Sequence, residues 1–257
     1  MPPWRWGLLG YFVSNRSIFF FVAVFAAPTI LVLLTIRPAE IDYELARSAR
    51  DGEKGGKVES AWLLFRDRPL VLFLACAVMF HFANVAMLPL LGEMLAKGRG
   101  RSSMLFMSAC VITTQLVVTL LASWSGRKAG IWGRKPLLLI AFGILPLRAV
   151  LYPLTANTAL PVAIQVMDGI AAAIFGVVSV LVIADLTRGT GRFNLTLGAI
   201  TTAVGIGAAL SQVIAASIVH HVGFRAGFLF LAGVALAAFA ILYFFMPETH
   251  NTRLENA

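Results

Sequence analysis

Charged residues in this chain are clustered, and long stretches between the clusters carry no charge at all. The uncharged windows cover residues 17–36, 69–92, 102–126, 193–224 and 226–247. In residues 136–184 the only charged residues are Arg148 and Asp168. A helix needs about 20 apolar residues to cross the hydrocarbon core of a bilayer, and every window is long enough. No soluble domain buries so many runs of this length, so the chain is predicted to be an integral membrane protein.

The windows predict seven membrane-spanning helices. Pro153 cannot continue a helix, and it opens a turn-type cluster that divides residues 136–184 into two spans. The predicted spans are residues 17–37, 69–91, 102–124, 136–154, 158–184, 195–219 and 225–247. The runs are continuous rather than alternating, and they are far longer than the roughly 9–11 residues of a barrel strand. The predicted fold class is therefore all-α integral membrane.

Lys and Arg are unevenly divided between the two sides of the predicted bundle. The side that includes residues 37–68, 125–135 and the C-terminus holds 14 of the 21, and the other side holds 6. Positive residues are retained in the cytoplasm, so we predict a multi-pass protein of the cell membrane with a cytoplasmic C-terminus. The net charge of +9 is then a topology signal, and no nucleic-acid partner is expected.

Residues 16–38 and 225–247 form two copies of one pattern. Each begins with Arg-x-x-Phe, continues for about 20 residues without charge and ends in Pro. Residues 38–67, between the copies, are a hydrophilic linker. Residues 68–257 would then be a complete six-helix unit, and residues 1–37 would hold the last helix of a preceding unit. We therefore expect the C-terminal part of a twelve-helix protein, whose other half is a missing N-terminal region or a second copy.

The segment between the third and fourth spans resembles the loop signature of the major facilitator superfamily of secondary transporters, which are built from two six-helix halves. That signature runs Gly, three residues, Asp, a basic residue, any residue, Gly and two basic residues. Gly126, Gly133, Arg134 and Lys135 match it, whereas Gly130 stands where Asp is usual. Further stretches similar to the family are Phe65–Pro69, Gln165–Gly169 and Met246–Thr249.

The resemblance implies a secondary transporter that moves a small organic solute or drug, by proton-coupled efflux and without a cofactor. The alternative is a polytopic membrane protein that does not transport, either receptor-like or structural. No enzyme is predicted, because the chain lacks a His-Glu-x-x-His pattern and has no second deep carboxylate beside Asp168. A metal site is not expected either, because His81 is the sole deep histidine and lacks further ligands.

Polar residues inside a bilayer are costly, and they usually face the bundle interior or a water-filled path. Here they are concentrated in the second, third, fifth and sixth spans, which correspond in order to the path-lining helices of the family. The candidates for the substrate path or for coupling are His81, Asn84, Gln115, Gln165, Asp168 and Gln212. His81 and Asn84 share a helix face, either as an interhelical hydrogen-bonding pair or as substrate contacts.

Asp168 is the most costly of these residues, because a carboxylate near the bilayer midplane needs a partner, a proton or water. Arg148 in the fourth span lies at a similar depth, so we expect an ion pair between the two side chains. Proton or substrate coupling at Asp168 is the alternative. Gln165 lies one turn from Asp168 on the same face and is expected to share its polar environment.

Overall fold

The computed structural model describes residues 67–99, 103–154, 159–188 and 190–249, together with ten positions between residues 20 and 35. Within these ranges the structure is helical and contains no strand. The helices are α1 (Arg68–Val85), α2 (Met87–Arg99), α3 (Ser103–Trp132), α4 (Arg134–Leu151), α5 (Ala159–Thr187), α6 (Phe193–Val222) and α7 (Phe224–Phe245), and a 3-10 turn, Tyr152–Leu154, follows α4. The prediction of an all-α protein is confirmed.

Six of the seven predicted spans are confirmed as helices long and apolar enough to cross a membrane. Helices α1 and α2 together make the first of the six, and α3 to α7 make one each. The predicted span 17–37 is described at only ten positions, all of them helical. The rest of that span, and the linker 38–67 except for Asp67, lie outside the described residues.

The second predicted span is divided in the structure. The helix begins after Asp67, whose side chain accepts a hydrogen bond from the Leu70 amide at 3.4 Å. It ends at Val85, and α2 starts two residues later. Pro89 has no amide hydrogen to donate to the Val85 carbonyl, and it occupies the first turn of α2, where proline is tolerated. The break therefore follows from a single proline inside an otherwise continuous apolar run.

The predicted end of the third span was wrong. Charge clusters placed that end near residue 124, with a loop over residues 125–135, but α3 continues to Trp132. Only Gly133 separates α3 from α4. At a rise of about 1.5 Å per residue, the 30 residues of α3 extend well beyond a hydrocarbon core about 30 Å thick. Charged residues mark where the membrane ends, and a helix is free to continue into water.

Helix contacts are arranged in two equivalent sets. Helix α5 packs against α3 and α4, while α1 packs against α6 and α7, and α4 also packs against α7. The first three spans (α1 with α2, then α3, then α4) correspond in order to α5, α6 and α7. Replacing each helix by its counterpart converts the first set of contacts into the second. This is the contact pattern that an inverted three-helix repeat requires.

Helices α3 and α5 approach closely at Gly169. A Cβ atom at this position would lie 2.5 Å from Val117 Cβ and 2.9 Å from the backbone oxygen of Thr114. On the same helix, a Cβ atom at Gly176 would have no such neighbour within 4 Å. The small residue at position 169 therefore sets the distance between the two helices.

We expect Gly169→Ala to lower the free energy of unfolding by about 1–3 kcal/mol, because the added methyl group overpacks the α3–α5 contact. The matched control Gly176→Ala should be neutral or slightly stabilising, because alanine is the better helix former. Melting of the purified variants in detergent measures both. Equal destabilisation of the two variants would contradict the close approach at Gly169.

Candidate functional site

Arg148 lies in the last turn of α4 and is 1% exposed. Its Nη1 atom donates to the carboxylate of Asp168 on α5 and to Oδ1 of Asn84 on α1, the second at 2.6 Å. Its Nη2 atom donates to the hydroxyl of Tyr152 at 3.3 Å. One guanidinium group thus joins three helices, and its charge is balanced by the Asp168 carboxylate.

A fourth helix reaches the same group through Thr114 on α3. The Thr114 Oγ1 atom lies 3.2 Å from Asp168 Oδ2 and 3.3 Å from Gln165 Oε1. A hydroxyl has a single hydrogen, so it donates to one of these oxygens at a time. We call the six residues Asn84, Thr114, Arg148, Tyr152, Gln165 and Asp168 the polar cluster.

The polar cluster lies inside the membrane-spanning part of the bundle. Asp168 is nine residues into α5 from Ala159, which corresponds to a depth of about 14 Å. An isolated charge at such a depth is strongly unfavourable. Pairing Arg148 with Asp168 offsets much of that cost, and the Thr114 hydroxyl lies within hydrogen-bond distance of the second carboxylate oxygen.

The other predicted candidates lie elsewhere. His81 is one turn from Asn84, but its ring packs edge-on against Phe80 and Phe175, with centroids 5.6 and 5.1 Å away. Gln115 on α3 and Gln212 on α6 are exposed. Of the six candidate residues, the structure therefore brings Asn84, Gln165 and Asp168 together.

Two members of the polar cluster were not among the predicted site residues. Tyr152 stands four residues after Arg148, and this spacing places the two on one helix face. Thr114 lies in a run of three polar residues, Thr113–Gln115, within an apolar span. The tyrosine spacing was a usable signal, whereas nothing in the sequence distinguishes Thr114 from Thr113.

A second network closes the other end of α4. Gly133 precedes the helix with φ at +92°, a conformation that favours glycine, and it provides no side-chain cap. Glu248, just beyond α7, supplies the cap instead, because its carboxylate accepts from the amides of Arg134 at 2.8 Å and Lys135 at 3.1 Å. A distant acidic residue thus satisfies the first amides of the helix and interacts favourably with its dipole.

The Arg134 side chain extends this network to α5. Its Nε atom donates to Asp185 Oδ2 at 3.1 Å, and its Nη1 atom donates to the backbone oxygen of Ala129. Asp185 also lies 3.9 Å from the exposed side chain of Arg188. Three of the four signature residues, Gly133, Arg134 and Lys135, therefore take part through backbone or side chain. A Cβ atom at the fourth, Gly126, would make an ordinary contact with Val177 at 3.6 Å.

Residues 111–257 match the family model described as Major Facilitator Superfamily. The chain belongs to this superfamily. Two curated relatives, from two strains of Mycobacterium tuberculosis and both described as MFS-type transporters, are each 42% identical to it over 245 residues. The alignments cover 95% of this chain and 59% of each relative, so the chain spans less than two thirds of the length of these relatives.

The family membership confirms the predicted resemblance to the major facilitator superfamily. Among the described residues, no group of three or more His, Cys, Asp or Glu side chains could hold a metal ion. The polar cluster, placed inside the bundle and joined to four helices, is the candidate functional site.

We expect Asp168→Asn to destabilise the protein by about 3–5 kcal/mol, because it leaves the buried guanidinium of Arg148 without a counter-charge. The double variant Asp168→Asn with Arg148→Gln removes both charges and should recover much of this loss. Detergent melting of the two variants and the wild type tests the pair. A single variant as stable as the wild type would exclude a stabilising ion pair.

At the other end of α4, Glu248→Ala should lower the free energy of unfolding by about 0.5–2 kcal/mol, because it removes the cap from two helix amides. Glu93→Ala is the matched control, since Glu93 forms an exposed pair with Lys97 on α2 and such pairs contribute about 0–1 kcal/mol. The same melting assay compares them. If the Glu93 variant lost more stability than the Glu248 variant, the capping role would be wrong.

Proposed function

We propose that this chain forms one half of a proton-coupled secondary transporter, in which Asp168 binds and releases the coupling proton. The observation that carries the proposal is the Arg148–Asp168 contact inside the bundle, with its further bonds to Asn84 and Thr114. Ionisable residues within membrane spans commonly mark ion or substrate pathways. A carboxylate bonded to two neighbouring helices is well placed to change their arrangement when it is protonated.

The coupling follows from the bonds that protonation removes. A protonated Asp168 has no charge to balance Arg148, so the link between α5 and α4 weakens. Arg148 keeps its bonds to Asn84 and Tyr152, and it therefore stays with α1 and α4. The two protonation states consequently favour different positions of α5, and a solute with different affinity for the two arrangements is coupled to the proton.

The proposed direction is efflux of a small organic solute or drug in exchange for protons, powered by the gradient across the cell membrane. The excess of Lys and Arg supports an orientation with the Arg134 network and the C-terminus in the cytoplasm. The polar cluster would then open toward the outside, and its proton would come from there.

Transport requires a second wall around the solute path. Exposed residues of α6 include a polar and small set, Thr201, Thr202, Gly205 and Gln212, beside a bulky apolar set, Ile206, Leu210 and Val213. The apolar set suits lipid, and the polar set, with Gln115 on α3, suits a water-filled path shared with another helical unit. We place residues 68–257 in one six-helix half and residues 1–37 at the end of the other. The second half is supplied by an upstream region or by a second copy, because alternating access rocks one half against the other.

The test uses proteoliposomes that contain a pH-sensitive dye and either this chain alone or this chain with the N-terminal region of a relative. Proton movement is followed at external pH values between about 5.5 and 8. Neutral, anionic and cationic aromatic solutes are added in turn. The proposal predicts solute-dependent proton movement that requires both halves.

Asp168→Asn should abolish the pH dependence of solute-dependent proton movement. The control Glu93→Gln, which neutralises an exposed carboxylate on α2, should keep that pH dependence. Unchanged pH dependence in the Asp168 variant would rule out coupling at this residue and leave a purely structural pair. Concentrative uptake by the chain alone, measured as a monomer, would rule out the need for a second half.

A further inference from the structure

The last two turns of α3 lie beyond the predicted membrane span and still expose large apolar side chains. The predicted span ends near residue 124, whereas the helix continues to Trp132. In this extension the side chain of Ile131 is 71% exposed and that of Trp132 is 47% exposed. Contiguous apolar groups on a protein surface mark a site of interaction with a partner or a membrane.

The exposed apolar residues share a helix face with two basic residues. Residues three and four apart on a helix are neighbours on its surface. At this spacing the face carries Trp124, Arg127, Lys128, Ile131 and Trp132, and we call these five residues the α3 end face. The intervening Ser125 and Ala129 are fully buried, and a Cβ atom at Gly126 would lie 3.6 Å from Val177 of α5. The α3 end face is therefore the side of the helix that points away from the bundle.

Three side chains of the α3 end face are in mutual contact. The Nζ atom of Lys128 lies 4.8 Å from the ring centroid of Trp132. The rings of Trp132 and Trp124 meet edge to face, with their centroids 5.8 Å apart. An ammonium group has three N–H donors, and the indole ring covers one side of it. Because Lys128 has no hydrogen-bond acceptor among the described residues, its other donors are available to oxygen atoms of another molecule.

The positive charge of the α3 end face is not balanced by the surrounding protein. Helices α3 and α4 contain no acidic residue. Asp185, on α5, pairs with Arg134 and Arg188. Within the described part of the chain, Arg127 and Lys128 form no ion pair. An anionic partner would meet two basic side chains here without competition from a neighbouring carboxylate.

The order of side chains along α3 matches the order of groups along a phospholipid. Leu116 and Leu120 are exposed and continue the α3 end face toward the membrane centre. The distance along the helix from Leu116 to Lys128 is about 18 Å, and one leaflet with its headgroups is about 20–22 Å thick. Indole rings prefer the boundary between hydrocarbon and headgroups. Acyl chains would thus meet leucines, the ester region would meet Trp124, and the phosphate would meet the basic residues.

We propose that the α3 end face binds an anionic phospholipid, whose phosphate lies between Arg127 and Lys128 and whose acyl chain lies along Leu120. The predicted orientation puts this end of α3 in the cytoplasmic leaflet, where anionic lipids attract basic residues close to the membrane. A zwitterionic lipid is bound less well, because its own cation offsets the charge of its phosphate. Lipid binding at this face does not require transport.

The experiment measures quenching of tryptophan fluorescence by brominated lipids. The chain has five tryptophans, and Trp4→Phe, Trp6→Phe and Trp62→Phe leave the two on α3 as the only indole fluorophores. The full chain with these changes is placed in vesicles of phosphatidylcholine with a minor fraction of phosphatidylglycerol. Bromine is carried by the acyl chains of one lipid or of the other. Brominated phosphatidylglycerol should quench more than its share of the lipid predicts.

Arg127→Gln and Lys128→Gln should each lower the excess of phosphatidylglycerol at the tryptophans about fivefold, because each removes one basic residue at the membrane surface. Arg225→Gln is the matched control. It makes the same change of charge at an exposed position at the start of α7, at the other end of the bundle, and should keep the excess. Detergent melting checks that the variants are folded.

Four results would overturn the assignment. The first is quenching by phosphatidylglycerol in simple proportion to its share, and the second is an unchanged excess in both α3 variants. The third is an equal loss in Arg225→Gln, which would show an effect of net charge alone. The fourth is loss of quenching when the N-terminal region of a relative is added, which would show that another helical unit covers the face. Failure of proton coupling would leave the quenching results unchanged.

Discussion

The buried charge of Arg148 constrains how the helices of this half can be arranged. A guanidinium that is 1% exposed inside an apolar bundle must find its acceptors among protein groups. It finds them on α1, on α5 and in the turn that follows α4. Because hydrogen bonds require short distances and defined directions, these three bonds fix the rotation of α1 and α5 about their own axes relative to α4. Apolar packing alone tolerates many such rotations.

A close approach of α3 to α5 brings a fourth helix into the polar cluster. The Thr114 hydroxyl reaches Asp168 because α3 approaches α5 closely, and the approach is set by Gly169, the residue directly after Asp168. The backbone oxygen of Thr114 lies only 2.9 Å from the place that a Cβ atom at position 169 would occupy. Small residues allow close helix contacts in membranes, where apolar side chains gain little by leaving lipid for protein. Gly169 therefore allows α3 to approach α5, and the Asp168 carboxylate forms the hydrogen bond that this approach makes possible.

The depth of each polar side chain in the membrane could be predicted from the sequence, but the partners that it faces across the bundle could not. Counting residues from the span ends gave Arg148 and Asp168 similar depths, and the structure brings the two side chains into contact. Their three-residue spacing on one helix grouped Asn84 with His81, yet Asn84 bonds to Arg148 while His81 packs among rings, because tertiary contacts decide what each side chain meets. The Arg134 network was also missed. Asp185 and Glu248 lie 51 and 114 residues from Arg134, and only the fold shows that they meet.

Helix α4 connects the polar cluster around Arg148 with the network around Arg134. Under the proposed coupling, a proton on Asp168 would change only the first of the two. Arg134 and Arg148 stand at its opposite ends, and both bond to aspartates of α5. Protonation of Asp168 would loosen α5 from α4 at the Arg148 end, while Asp185 still holds it at the Arg134 end. Helix α5 would then pivot rather than slide. Pro146 lies two residues before Arg148 and removes a backbone hydrogen bond within α4. The turn that carries Arg148 is thus more weakly attached to the rest of its helix, and under the proposed coupling it would follow Asn84 and α1 while the Arg134 end stays in place.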